Sequence, residues 1–265
     1  MKAIKDVPGG GLPPFWQIPE NPAPGLGWPK YGLVHWCWLL SGAAVVAALL
    51  LLYSRLNEKG RRIMMWAVVI LQLINEVDTQ TMLIATGQWD PSDLPLHLCS
   101  LTEFIFLAHV IRPSRAMSAV VYGVGFPAAA FGLAFPTWSV LPVWNFSSLH
   151  SFVFHFMMIL YTAMVLVNGY RPRLKDLKRA AIPLAVSVVA IFVFNKIVHT
   201  DFLFINGGKG VGFLEALVGV MGVYGYLVIF PVLLAVIWTA MFLPFEIKAR
   251  KKERAENECA EAKNE

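Results

Sequence analysis

Charge is scarce in this chain. Asp, Glu, Lys and Arg make up 15% of its 265 residues against 57% hydrophobic, and the mean hydropathy is +0.60. A soluble domain carries about 25% charged residues, so this composition excludes a soluble fold. Cysteine is nearly absent: Cys37, Cys99 and Cys259 are too few and too scattered to form a disulfide framework. The first 30 residues lack the charged start and apolar core of a signal peptide. No repeat of fixed period and no nucleic-acid motif is present, and there is no HxxxH or HxxxD pair to present two zinc ligands on one helix. INGGKG at 205–210 has glycines but not the frame of a phosphate loop, and reads as an external loop.

Long apolar runs are abundant. Crossing a ~30 Å hydrocarbon core takes about 20 apolar residues, and seven windows approach that length: 33–54, 63–85, 96–111, 117–136, 148–168, 180–199 and 223–245. The expectation is an all-α polytopic membrane protein with seven transmembrane helices. The third window is short, so neighbouring helices must shield part of it. Lys and Arg set the orientation. Seventeen fall in the loops after the first, third and fifth windows and in the tail, against five on the opposite side. Basic loops stay cytoplasmic, which puts the N-terminus outside and the C-terminus in the cytoplasm of a multi-pass cell-membrane protein. The pI near 9.1 then reflects topology and contact with anionic lipid, not nucleic acid. Residues 1–30 form an external arm rich in Pro, Gly and aromatics, 31–247 the transmembrane domain, and 248–265 a charged cytoplasmic tail that reads as a solvated, frayed end.

With that topology, His35, His97, His150, His155 and His199 fall in the outer half, and only His109 lies towards the cytoplasm. Gln72, Asn75, Glu76 and Thr79, spaced i, i+3, i+4, i+7, share one helix face. Cys99 and Glu103 are i, i+4 on the third span, as are Asn195 and His199 on the sixth. Four spans therefore aim polar groups at one depth, where ionisable side chains are expensive and mark function. The tryptophans read as interface anchors, and Gly219, Gly222 and Gly225 as close-packing positions.

LPLHLCSLTEF at 94–104 resembles the signature of the YwaF-like integral membrane family, which is distantly related to cysteine acyltransferases of ether phospholipids. The likeness runs over residues 32–246. His35 in GWPKYGLVHWCWLL sits at the family's first-helix histidine, His155 in SFVFHFMMILY at its fifth-helix element, and NKIVHTDFLF at 195–204 is similar to its N followed by NYMFL. Asp201 and the Lys209-Gly210 turn depart from the pattern. The resemblance implies an acyl-chain donor and an acceptor lipid as partners.

Acyl transfer through cysteine needs a thiolate, a base, donors for the oxyanion and a path for a lipid chain. Cys99 lies at the positive end of its helix dipole. His155 is the preferred base and His97 the second, because His97 is about 200° around the helix from Cys99 unless the LPLH turn is unwound. Glu76 is placed to orient the histidine. His150, Asn195, His199, Glu103 and His35 are the expected substrate-binding residues. No cofactor is called for. Two other classes use the same side chains: a zinc-dependent intramembrane lipid hydrolase, and a proton-coupled transporter or ligand-binding protein.

Overall fold

The computed structural model describes residues 8–208 and 211–261. Lys209 and Gly210 of the INGGKG loop, the first seven residues of the arm and the last four of the tail lie outside the described residues.

The described residues are helical, with no strand among them. Six helices are long and apolar enough to cross a membrane, and a seventh, Leu98–Ile111, is shorter. The elements are α1 (Leu33–Arg55), α2 (Glu58–Ala85), α3 (Leu98–Ile111), α4 (Arg115–Val120), α5 (Phe126–Ala134), α6 (Phe146–Val167), α7 (Leu177–Val198), α8 (Gly212–Gly225) and α9 (Ile229–Glu261). Their starts follow local chemistry. Asn57, Ser114 and Asn145 each accept a main-chain N–H at the opening of α2, α4 and α6.

Burial separates inner from outer helices. The apolar window of the α4–α5 span is 61% buried and that of α6 is 50%, against 6% for α1 and 11% for α7. α6 packs against α1, α2 and α5, with Phe152, Met158, Tyr161 and Met164 fully enclosed. α1 approaches it closely at Gly42, where a Cβ would lie 2.1 Å from the Phe156 ring. At 14 residues α3 is about 21 Å long. It is flanked by α2 and by the α4–α5 span.

α4 and α5 are one span interrupted by a wide π-helical turn at Val121–Gly125. Pro127 has no N–H to give the Gly123 carbonyl, four residues earlier. The Trp238 indole of α9 donates to that carbonyl instead, at 2.7 Å, and Tyr122 donates to Met241 O at 3.0 Å. The proline's missing donor thus becomes an attachment point for the last helix.

That last span is not one continuous helix. Gly222 has φ +71°, and a 3-10 turn at Tyr226–Val228 follows before α9 begins. Gly219 and Gly222 have nothing within 4 Å of a Cβ position, so they are not close-packing sites. Gly222 instead supplies a left-handed break that other residues rarely adopt. α9 also continues well past the apolar region, where a frayed tail is expected. Lys252–Glu256 and Arg254–Glu258 pair at i, i+4, and Arg173 reaches Glu246 and Glu253 of α9.

The basic loops after the third and fifth windows meet in one ionic knot. Asp176, fully buried, accepts from Arg115 at 2.6 and 3.1 Å, from Arg179, and from the Arg173 N–H at 3.1 Å. Nearby in sequence, His109 bridges Tyr161 Oη at 2.9 Å and Ser118 Oγ at 3.1 Å, tying α3, α4 and α6 together. Breaking a buried ion pair costs about 3–5 kcal/mol when the partner charge is stranded. Both arginines keep water contact, so Asp176→Asn is expected to cost about 2 kcal/mol, read as a lower unfolding midpoint in detergent.

The described part of the arm lies on the α2–α3 and α5–α6 loops. Asn145 Nδ2 donates to the carbonyls of Pro14, Phe15 and Gln17 at 2.7–3.1 Å, Gln88 Nε2 to Trp16 O at 2.8 Å, and the Trp28 N–H to Ser139 O at 2.8 Å.

Candidate cysteine and histidine site

The site is built around α5. Small residues recur along it and the turn before it, at Gly125, Ala128, Ala129 and Gly132, and three helices come close there. α3 meets Gly125, where a Cβ would lie 2.9 Å from Thr102 Cγ2. One turn on, the Cys99 thiol donates to Ala128 O at a long 3.9 Å. One further turn on, a Cβ at Gly132 would lie 2.2 Å from His155 Nε2. His35 from α1 reaches Leu133 O at 2.8 Å. Cys99 therefore addresses one turn of this short helix, and His155 and His35 the next.

The partners assign the histidine tautomers. Ser151 O can only accept, so the His155 Nδ1, 2.6 Å away, carries the proton. Nε2 of the neutral ring keeps its lone pair and faces Gly132. Trp138 stacks on the ring, centroids 5.4 Å apart. His35 is the opposite case. Its Nδ1 accepts the Tyr31 N–H at 3.1 Å, so Nε2 donates to Leu133 O, and both nitrogens of this fully buried ring are committed to backbone. It contributes position to α5 and holds no free group for a substrate.

His97 stands just outside α3 with an extended backbone, φ −66° and ψ 153°, so the LPLH turn is unwound. Its ring turns to the loop after α7, with Phe202 at 5.1 Å and Phe204 at 5.7 Å. That loop is held by Asn195. Its Nδ2 donates to Phe202 O at 2.9 Å, while Oδ1 accepts from Thr200 Oγ1 at 2.8 Å and Phe202 N at 3.1 Å. The LPLH and NKIVHTDFLF segments thus meet, through aromatic packing and not through a catalytic hydrogen bond. Asn195 therefore serves as a loop clamp, with one Nδ2 proton and the Oδ1 acceptor given to the loop. With three hydrogen bonds each worth about 1 kcal/mol net, Asn195→Ala is expected to cost roughly 2–3 kcal/mol and to open the 199–206 loop to limited proteolysis.

Other expected site residues have no hydrogen bond with the thiol among the described residues. Glu76 Oε1 accepts from Gln80 Nε2 at 2.8 Å, so Gln80, one turn on, takes the carboxylate expected to orient a histidine. His150 donates from Nε2 to Asn75 O at 3.2 Å. His199 is exposed at the left-handed end of α7, φ 61°. Glu103 is fully buried, and neither carboxylate oxygen has a hydrogen-bond partner. Among the described residues no three His, Cys, Asp or Glu side chains gather as metal ligands.

A sequence profile of the TMEM164 family matches residues 30–242. The chain belongs to the TMEM164 family. The matched stretch takes in α1 through the first part of α9, including Cys99, His155 and the α5 contacts, and this is a family of membrane proteins. No curated protein and no solved structure matches the chain. Sequence reasoning placed α5 inside its fourth window, 117–136, but missed that other helices converge on it. GFPAAAFGLAF carries small residues four and seven apart, the pattern that lets helices approach, and that signal was there to be read.

Proposed function

We propose that this family member is a membrane-embedded lipid acyltransferase or acyl hydrolase that carries the acyl chain on Cys99, with His155 as the base. The observation that carries the reading is the His155 ring, pinned through Nδ1 so that Nε2 faces α5 one turn, about 6 Å along the axis, from the Ala128 carbonyl beside Cys99. Nε2 and the thiol share no hydrogen bond. Catalytic pairs are often loose without substrate, and a bridging water or a thiol rotamer change closes this gap. The base takes the thiol proton, the thiolate attacks the ester carbonyl of a donor lipid, and the lysolipid leaves with that proton. A second lipid hydroxyl, or water, then releases the chain from the thioester.

The charge count supports seven spans with the N-terminus outside and the C-terminus in the cytoplasm, so the site opens towards the outer leaflet of a cell membrane. The resemblance to the YwaF-like family supports donor and acceptor phospholipids as partners. Reconstituted protein supplied with a labelled-acyl phospholipid and a lysolipid is expected to move or release the label, and Cys99→Ala to abolish this. Undiminished turnover by Cys99→Ala removes the thiol from the mechanism.

A further inference from the structure

A second polar group lies on α2 and α3 and makes no hydrogen bond with the Cys99 thiol. Gln72 is 0% exposed, and neither its amide oxygen nor its amide nitrogen has a hydrogen-bond partner. Glu103 is likewise 0% exposed, with both oxygens unpartnered. The Asn75 amide oxygen is also buried without a partner. Gln72, Asn75 and Glu76 share one face of α2, and α3 packs on that helix.

Orphaned buried groups of this kind are rare in native proteins, and each calls for an unseen water, ion or ligand. One left alone costs about 1–3 kcal/mol, and a carboxylate more. Five such atoms are concentrated on three side chains here, which points to a shared occupant. The open groups are almost all oxygens. The nearest imidazole, His150, spends Nε2 on Asn75 O, and no thiol belongs to the set. Hard oxygen donors suit hard cations and not zinc or copper. A buried carboxylate either stays protonated or takes a compensating positive charge, and amide carbonyls beside a carboxylate able to bind through both oxygens fit the loose oxygen shell of Ca²⁺ better than the strict octahedron of Mg²⁺. Glu76 and Asn75 are only half-buried and form the open side, with Gln72 and Glu103 at the closed end.

We propose that Gln72, Asn75, Glu76 and Glu103 form a binding site for a hard divalent cation of the calcium type. The occupant joins α2 to α3 and so steadies the helix that carries Cys99.

The test is thermal unfolding of the full-length protein, purified in detergent, stripped with chelator and titrated with Ca²⁺, Mg²⁺ or Na⁺. Ca²⁺ is expected to raise the unfolding midpoint by several degrees through preferential binding to the folded state. Glu103→Gln keeps the shape and removes a buried charge, so it should fold with an ion-free midpoint at or above that of the wild type and lose the Ca²⁺ response. Gln72→Met should lose it in part. A response to Na⁺ alone overturns the divalent assignment. No response to any of the three ions, or a Ca²⁺ response that survives in Glu103→Gln, overturns the site.

Discussion

Gly132→Ala is expected to abolish turnover while leaving Cys99 chemically intact. The added methyl would sit 2.2, 2.5 and 3.0 Å from three atoms of the His155 ring, where carbon contacts need about 3.5–4 Å. Either the ring swings off the Ser151 carbonyl, or α5 and α6 move apart. Overpacking of this kind costs roughly 1–3 kcal/mol. A reacting group displaced by about 1 Å can lose 100-fold in rate, so activity should suffer far more than the fold. Gly219→Ala is the control. Nothing lies within 4 Å of its Cβ position in α8, and alanine in a helix interior is favoured over glycine by about 1 kcal/mol. That variant should unfold at the same temperature or higher and keep its activity. Equal losses in the two variants would mean that glycine flexibility, and not the space for His155, is what matters.

His155→Ala should lower turnover by about 100- to 10,000-fold, the range for a lost general base. His97→Ala should lower it by less than about 10-fold. The two histidines were the competing bases, and the structure separates them by what each ring touches. His155 has a fixed Nδ1 proton and a lone pair facing the helix that Cys99 contacts. His97 is packed edge-on to Phe202 and beside Phe204, with no hydrogen bond from its ring. Its loss should loosen the loop between α7 and α8, raising the protease sensitivity of residues 199–206 more than it slows catalysis. The reverse ranking in activity would make His97 the base.

The long helices were legible because each is an apolar run long enough to span a bilayer, and such runs have few other outcomes in water or lipid. The placement of Cys99 near a helix start was legible for a similar reason, since the apolar window begins at 96, while the unwinding of LPLH was left open. What escaped the sequence was direction. Glu76 had a histidine as its expected partner, yet Gln80 is one turn away on the same helix and needs no tertiary fit to reach it. Asn195 read as a substrate contact, but the left-handed residues His199 and Leu203 fold the chain back onto its amide. His35 shares the motif pattern with His155 while both its nitrogens serve the backbone. In each case the residue type was informative, and the partner found in the structure is a local or backbone one. The break at Gly222 escaped because a positive φ leaves no trace in hydrophobic periodicity.

The central claim is that Cys99 carries an acyl group. Protein incubated briefly with a donor phospholipid and no acceptor, then digested and weighed, should yield a peptide containing Cys99 heavier by one acyl chain. Neutral hydroxylamine should remove that mass, and His155→Ala should show little of it. Full lipid turnover with the Cys99 peptide unmodified at every time point would contradict the account.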